Sequence, residues 1–127
     1  MIDHASVAAW LDKYIQAWKS YDPQAIGALF AEDATYLYNP FDEEPLRGRE
    51  VIVADWLVNP DAPGTFEAYY KPIAVDGSTA VTQGRSTYYE ADDKTLRRAF
   101  DNIFVLRFDD QGRCIEFREW FMQTRRQ

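Results

Sequence analysis

The last quarter of the chain, Leu96 to Met122, constrains the fold more than any other stretch. It consists of two runs rich in β-branched and aromatic residues, separated by Asp109-Asp110-Gln111-Gly112. Turn-forming residues between two such runs are typical of a β-hairpin. The sequence therefore predicts two long antiparallel strands at its C-terminal end.

The alternation within these two strands predicts a polar pair on an apolar face. Side chains alternate across a strand, so residues of one parity share a face. If Asp109 and Gly112 close the turn, Asn102 lies opposite Glu119 on a face otherwise occupied by Phe, Leu and Ile. An apolar face carrying one amide and one carboxylate is typical of the wall of a ligand cavity.

The first half of the chain is predicted to be mainly helical. Asp3 or Ser6 can cap a first helix, and its apolar stripe follows helical spacing: Val7, Trp10, Leu11, Tyr14, Ile15 and Trp18. Asp22-Pro23 opens a short second helix, and residues 50–57 form a third with Ile52 and Trp56 inward. A strand is expected at 34–38, followed by a loop.

After residues 59–64, which are rich in Pro and Gly, the chain reads as strands to its end. Strands are expected at 65–75 and 79–90, ahead of the terminal hairpin. Helices followed by an antiparallel run predict an α+β fold. A curved sheet covered by the first helix would leave a cone-shaped space, and we expect 1–127 to form a single domain.

Composition restricts the partners. The net charge of −7 disfavours nucleic acid and anionic membranes, and 16% aromatic residues call for a large core or a lined cavity. The sequence shows no signal peptide and no stretch long enough to span a bilayer. Its one cysteine, Cys114, fits a reducing compartment, so we expect a cytoplasmic protein.

Several local strings resemble a known superfamily. They are Phe30-Ala31-Glu32-Asp33-Ala34, Asn39-Pro40-Phe41, Gly48-Arg49-Glu50 and the hairpin string 107–113. With the order of elements, they are similar to the SnoaL-like or nuclear transport factor 2-like superfamily, closest to its ketosteroid isomerase-like branch. The resemblance implies a cystatin-like cone, a curved antiparallel sheet covered by three N-terminal helices. It also implies a small-molecule cavity, in a superfamily of isomerases, cyclases, hydrolases, dehydratases and non-catalytic binders.

The resemblance does not carry over the isomerase carboxylates. Tyr14 stands where those enzymes have an oxyanion-donating tyrosine, but the catalytic aspartate falls on Asn39 or Tyr38. The second oxyanion donor falls on Phe104, and a supporting tyrosine falls on Trp56. We therefore expect no isomerisation of a ketosteroid double bond, because an amide is no base and phenylalanine donates no hydrogen bond.

Glu119 is the candidate acid–base residue. It stands where the epoxide hydrolase branch has its last-strand aspartate, although Arg85-Ser86-Thr87 does not supply that branch's other motif. Burial on an apolar face would raise the pKa of Glu119 towards neutrality. The alternative is a structural carboxylate held by Asn102, Arg118 or the backbone.

The other predicted site residues are hydrogen-bond donors and cavity-lining side chains. Tyr14 or Asn39 would donate to a bound ligand. Residues that could line the pocket, or instead be ordinary core, are Trp18, Tyr36, Tyr38, Trp56, Asn102, Phe104, Phe117 and Phe121.

Neither a metal nor a cofactor is expected. His4, the sole histidine, lies at the terminus, and Asp42-Glu43-Glu44 is typical of a solvated loop tip. Trp120 and Met122 are predicted to lie on the outer face of the sheet, which favours a homodimer. Two functions remain open: an acid–base enzyme without cofactor, or a non-catalytic binding or assembly module.

Overall fold

The computed structural model describes residues 1–91 and 95–124. The elements in chain order are α1 (His4–Ser20), α2 (Pro23–Gly27), β1 (Phe30–Leu37), β2 (Leu46–Arg47), α3 (Arg49–Val58), β3 (Phe66–Asp76), β4 (Thr79–Tyr89), β5 (Leu96–Phe108) and β6 (Cys114–Gln123). This arrangement confirms the predicted α+β class. The predicted turn at 91–95 lies partly outside the described residues.

Helix α1 has well-defined ends and one buried face. Asp3 is the N-cap, and its carboxylate accepts a hydrogen bond from the Ser6 backbone amide while the Ser6 hydroxyl accepts one from the Asp3 amide, forming a capping box. At the other end Tyr21 adopts the left-handed conformation, with φ of 49°. The indole of Trp10, on the buried face, donates to the Leu29 carbonyl at 3.0 Å.

The six strands within the described residues belong to one sheet, in the order β2-β1-β6-β5-β4-β3. The four long strands β3 to β6 form the predicted antiparallel run, and β1 extends it by pairing parallel to β6. The sequence prediction started β1 at Ala34 and placed β2 in a loop. The earlier start of β1 arises because Phe30 obtains its strand partner, Cys114, from a distant part of the chain. β2 is only two residues long and pairs with the nearby β1, so it has no strand periodicity of its own.

The register of the terminal hairpin differs from the prediction. Glu119 pairs with Phe104, and Asn102 pairs with Phe121. Two displacements of one residue each cause the difference. The turn is closed by Asp109 and Arg113 instead of Asp109 and Gly112, and an irregularity between Arg107 and Phe108 places an extra residue in β6. Because the shift is even, Asn102 and Glu119 still share the inner face as diagonal neighbours.

The core lies between the inner face of this sheet and helices α1 to α3. Its largest fully buried side chains come from every layer: Phe30, Phe104, Phe117, Leu11, Ile26, Ile52 and Leu106. α1 crosses the sheet and contacts β3, while α3 covers β1. Towards one end of the sheet this core stops, and the space between helices and strands is open.

Candidate functional site

The open end of the cone holds a cavity of about 470 Å³. Both α1 and α3 contribute to it, as do the inner faces of the long strands. Its lining consists of Tyr14, Trp18, Tyr21, Tyr36, Tyr38, Asp55, Trp56, Val58, Asn59, Asp61, Tyr70, Ser86, Tyr88, Asn102 and Glu119. The volume is within the range that binds small organic molecules.

A chain of three polar side chains crosses the cavity wall. The Ser86 hydroxyl donates to Oδ1 of Asn102 at 3.0 Å, and Nδ2 of Asn102 donates to Oε2 of Glu119 at 2.9 Å. Ser86 and Asn102 are buried, whereas Glu119 is partly exposed to the cavity. This arrangement fixes the orientation of the carboxylate and leaves its other oxygen without a described hydrogen bond.

Burial raises the pKa of Glu119 from its ordinary value near 4.5 to about 7. Removal of water from the charged form is the dominant cause, and the hydrogen bond from Asn102 acts in the opposite direction. A carboxyl with a pKa near neutrality is present in both protonation states at physiological pH. It can therefore both accept and donate a proton.

Two buried tyrosines lie beside the carboxylate. The phenols of Tyr14 and Tyr36 share a hydrogen bond of 3.3 Å. Desolvation raises both pKa values well above the usual range, and the charge of Glu119 adds to the effect. Both phenols therefore stay protonated at neutral pH, and since only one of them donates to the other, the second is available as a hydrogen-bond donor.

The rim of the cavity carries two further carboxylates. Asp61 accepts hydrogen bonds from the Trp18 indole at 3.1 Å and the Tyr21 hydroxyl at 3.3 Å. Asp55 on α3 accepts one from the Tyr38 hydroxyl at 2.5 Å. The pKa of Tyr38 is raised, first by desolvation and then by this bond to Asp55.

The structure brings together seven of the predicted site residues at the cavity, namely Glu119, Tyr14, Trp18, Tyr36, Tyr38, Trp56 and Asn102. The other four do not line it. Asn39 is exposed beyond the end of β1. Phe104 and Phe117 are packed in the core beneath the cavity, where Phe117 stacks on Tyr36 at 4.2 Å between ring centroids. Phe121 is 54% exposed and packs edge-on against Phe100.

Other lining residues were not identified from the sequence. Tyr70, Ser86 and Tyr88 lie on strands whose period-two pattern was visible, but their place in the cavity depends on pairing between β3 and β4. Asp55 and Asp61 lie on a helix face and in the Pro-rich segment after α3. No local signal distinguishes them from solvated acids.

Within the part of the chain that the structure describes, no group of three or more His, Cys, Asp or Glu side chains is arranged to hold a metal ion. In the same residues, no helix combines the length and apolar character needed to cross a membrane.

The chain belongs to the SnoaL-like domain family, whose model matches residues 11–117. It is also similar to the crystal structure of an NTF-2 like protein of unknown function from Burkholderia xenovorans LB400. That match has 18% sequence identity and a TM-score of 0.71, and covers 97% of this chain and 88% of the other. At this identity the likeness shows the fold alone. No curated protein matches the chain significantly.

The raised pKa of Glu119 predicts a pH-dependent effect of removing its charge. Below about pH 4.5 the carboxyl is protonated in both folded and unfolded states, so burial costs nothing. As pH rises from that value to the folded-state pKa of about 7, the carboxyl ionises more readily in the unfolded chain, so the cost to folding grows, and above about pH 7 it levels off. We expect Glu119→Gln to be more stable than wild type by about 1 kcal/mol at pH 5 and up to about 3 kcal/mol at pH 8.

Urea denaturation at the two pH values measures this difference. Glu116→Gln is the matched control, because Glu116 lies on the same strand but outside the cavity. Its Oε2 is 3.5 Å from Nη2 of Arg118. Its effect should stay below about 1 kcal/mol at both pH values. A marked loss of stability in Glu119→Gln at neutral pH would show that the carboxylate is paired and structurally required.

Proposed function

We propose that this protein is an enzyme that needs no cofactor and transfers protons on a small organic molecule bound in the cavity. The observation that carries the proposal is Glu119, held by Asn102 and Ser86 at the cavity wall with a pKa of about 7. General acid–base catalysis is most effective when the pKa of the catalytic group is near the working pH.

The arrangement suits proton removal from a carbon next to a carbonyl. The Glu119 carboxylate takes the proton, the electron pair of the broken C–H bond forms the C=C bond of an enolate, and the π pair of the carbonyl moves onto its oxygen. A phenol of Tyr14 or Tyr36 would donate a hydrogen bond to that oxygen, stabilising its developing charge. Returning the proton from Glu119 to another carbon of the enolate completes an isomerisation. In a dehydration the enolate instead expels a β-hydroxyl, which takes the proton from Glu119 and leaves as water. In a cyclisation the enolate carbon forms a bond to a second carbonyl carbon of the same molecule, and the proton from Glu119 goes to that carbonyl oxygen.

The remaining lining residues would bind and orient the substrate. Trp18, Tyr38 and Trp56 present aromatic surface, and Asn102 orients the carboxylate. We give no role to Asn39, because its side chain is exposed away from the cavity. Phe104 and Phe117 support the cavity from below.

Deuterium exchange tests the proposal without knowledge of the natural substrate. A panel of small cyclic ketones in D₂O is incubated with the protein, and incorporation at the α-carbon is followed by NMR. We expect catalysed exchange of at least one member, lowered by about 10²–10⁴-fold in Glu119→Gln and unchanged in Glu116→Gln. Exchange that survives in Glu119→Gln would contradict the assignment.

A non-catalytic binding module of the same fold is the second candidate. It is favoured by the way Ser86, Asn102 and Glu119 satisfy one another, as a purely structural network would. Absence of exchange across the panel, together with ligand binding in the cavity, would support this candidate.

We further propose that the protein is cytoplasmic. Cys114 is a free, fully buried thiol, and burial raises its pKa, so it is protected from reaction. This environment is consistent with a reducing compartment without requiring one.

We propose a homodimer formed through the outer face of the sheet. Trp120 is 40% exposed and Met122 is 72% exposed, next to Ile103 and Val105 on the neighbouring strand. A specific dimer would bury about 1,600 Å² in total. Size-exclusion chromatography with light scattering should give close to twice 14.8 kDa, and Trp120→Lys should reduce this mass. A monomeric mass for the wild type at micromolar concentration would contradict the dimer.

A further inference from the structure

Among the residues that the structure describes, the charge of the cavity lining has a single sign. Three of the fifteen lining residues are carboxylates, namely Asp55, Asp61 and Glu119, and none of the fifteen is Lys, Arg or His. A cleft lined by one sign of charge concentrates ligands of the opposite sign. From this we infer that the cavity selects an organic cation, a substituted ammonium group, over neutral and anionic molecules of the same shape.

Among residues 1–91 and 95–124, no described ion pair involves the rim carboxylates Asp55 and Asp61. The described hydrogen bonds to the Asp61 carboxylate come from two uncharged donors, the indole of Trp18 and the hydroxyl of Tyr21, while the Asp61 backbone amide itself donates to the Tyr21 hydroxyl. Asp55 accepts from the uncharged Tyr38 hydroxyl. The ion pairs that the structure describes, Arg85–Asp101 and Arg118–Glu116, both lie outside the cavity lining. The negative charge at the rim is thus available to a ligand.

The aromatic part of the lining suits the same ligand. Eight of the fifteen lining residues are tyrosine or tryptophan, and the faces of these rings attract cations. At the edge of the cavity this attraction is already used, since the Arg98 guanidinium lies 5.3 Å from the centroid of the Tyr88 ring. Arg98 itself does not line the cavity. Tyrosine rings together with carboxylates are a common combination for recognising ammonium groups.

This inference specifies the substrate class for the acid–base site and so rests on the proposed function for its biological meaning. A bound ammonium at the rim would place the rest of the molecule against Tyr14, Tyr36 and Glu119. It would also favour the ionised form of Glu119 by electrostatic attraction. Binding of the cation therefore prepares the base for proton removal.

Three probes of similar shape and different charge test the inference. Benzylammonium, benzyl alcohol and benzoate are titrated at pH 7 against the intrinsic fluorescence of the protein, to which Trp18 and Trp56 in the lining contribute. We expect benzylammonium to bind at least about 10-fold more tightly than benzyl alcohol, and benzoate most weakly. With the wild-type protein, raising the ionic strength of the buffer should reduce the preference for benzylammonium.

Two variants separate the cavity charge from the overall charge of the protein. Asp61→Asn removes one rim charge but keeps an acceptor for Trp18, and should lower the preference for benzylammonium several-fold. Glu43→Gln removes one charge from an exposed loop outside the lining and should leave it unchanged. Equal affinity for all three probes, tighter binding of benzoate, or no binding of benzylammonium at about 10 mM overturns the inference.

The outcome is independent of the catalytic proposal. Glu119→Gln retains Asp55 and Asp61, so its preference for the cation should persist even though exchange activity is lost. A charge preference without any exchange activity would contradict the enzyme and not the cation site. Exchange of neutral ketones without a charge preference would contradict the cation site and not the enzyme.

Discussion

Replacing Phe117 with alanine is expected to lower the free energy of unfolding by about 3–5 kcal/mol. Phe117 is fully buried beneath the cavity. Its ring stacks on Tyr36 with centroids 4.2 Å apart and an interplanar angle of 3°, and on Tyr14 at 5.5 Å and 12°. The ring of Phe104 also packs against the ring of Phe117, with centroids 4.7 Å apart. Truncation would remove all of these contacts and leave a void below the two phenols.

Phe121→Ala is the matched control, four residues further along the same strand. Its ring is 54% exposed and contacts Phe100. We expect a loss below about 2 kcal/mol in urea denaturation, because less than half of this side chain is buried. Similar losses in both variants would contradict the division of these rings between core and surface.

Gly84→Ala is expected to cost about 3 kcal/mol or more, or to prevent folding. Gly84 pairs with Tyr70 across β3 and β4. A Cβ atom at this position would lie 1.9 Å from the Tyr69 carbonyl oxygen and 2.7 Å from Cα of Tyr70. Because these are backbone atoms, the two strands would have to separate, and overpacking of this kind is destabilising. Separation would also displace Tyr70 from the cavity wall.

Gly27→Ala provides the comparison for thermal denaturation. A Cβ at Gly27 would meet side-chain atoms of Arg49 and Val53 at 3.6 Å and 3.7 Å, which is ordinary contact. Alanine is also the better helix former, so we expect a change within about 1 kcal/mol. Equal melting temperatures for Gly84→Ala and Gly27→Ala would contradict the close approach of β3 and β4 at Gly84.

The features that sequence reasoning predicted are those encoded by local periodicity. Helical spacing located α1 and its buried stripe, and alternation placed Asn102 and Glu119 on one face. The predicted register was wrong by two residues. A displacement of two leaves each side chain on the same face of the sheet, so Asn102 and Glu119 still lie close enough to form a hydrogen bond. A displacement by one would have moved Glu119 to the outer face.

The features that escaped prediction depend on contacts distant in sequence. The parallel pairing of β1 with β6 joins segments about eighty residues apart, and nothing in residues 30–37 specifies that partner. The burial of Phe104 and Phe117 also escaped prediction. The alternation along their strands predicts which face of the sheet they lie on, but not how far they lie from the cavity. Whether an inward ring lines the cavity or lies below it depends on where the helices end above it.

The acid–base account depends most directly on the ionisation of Glu119. The measurement is an NMR titration of the Glu119 side-chain carboxyl carbon in uniformly ¹³C-labelled protein, assigned by comparison with Glu119→Gln. The structure predicts a pKa of about 7, raised by desolvation against the opposing hydrogen bond from Asn102. A pKa below about 5, in the range of an ordinary exposed glutamate, would contradict the account.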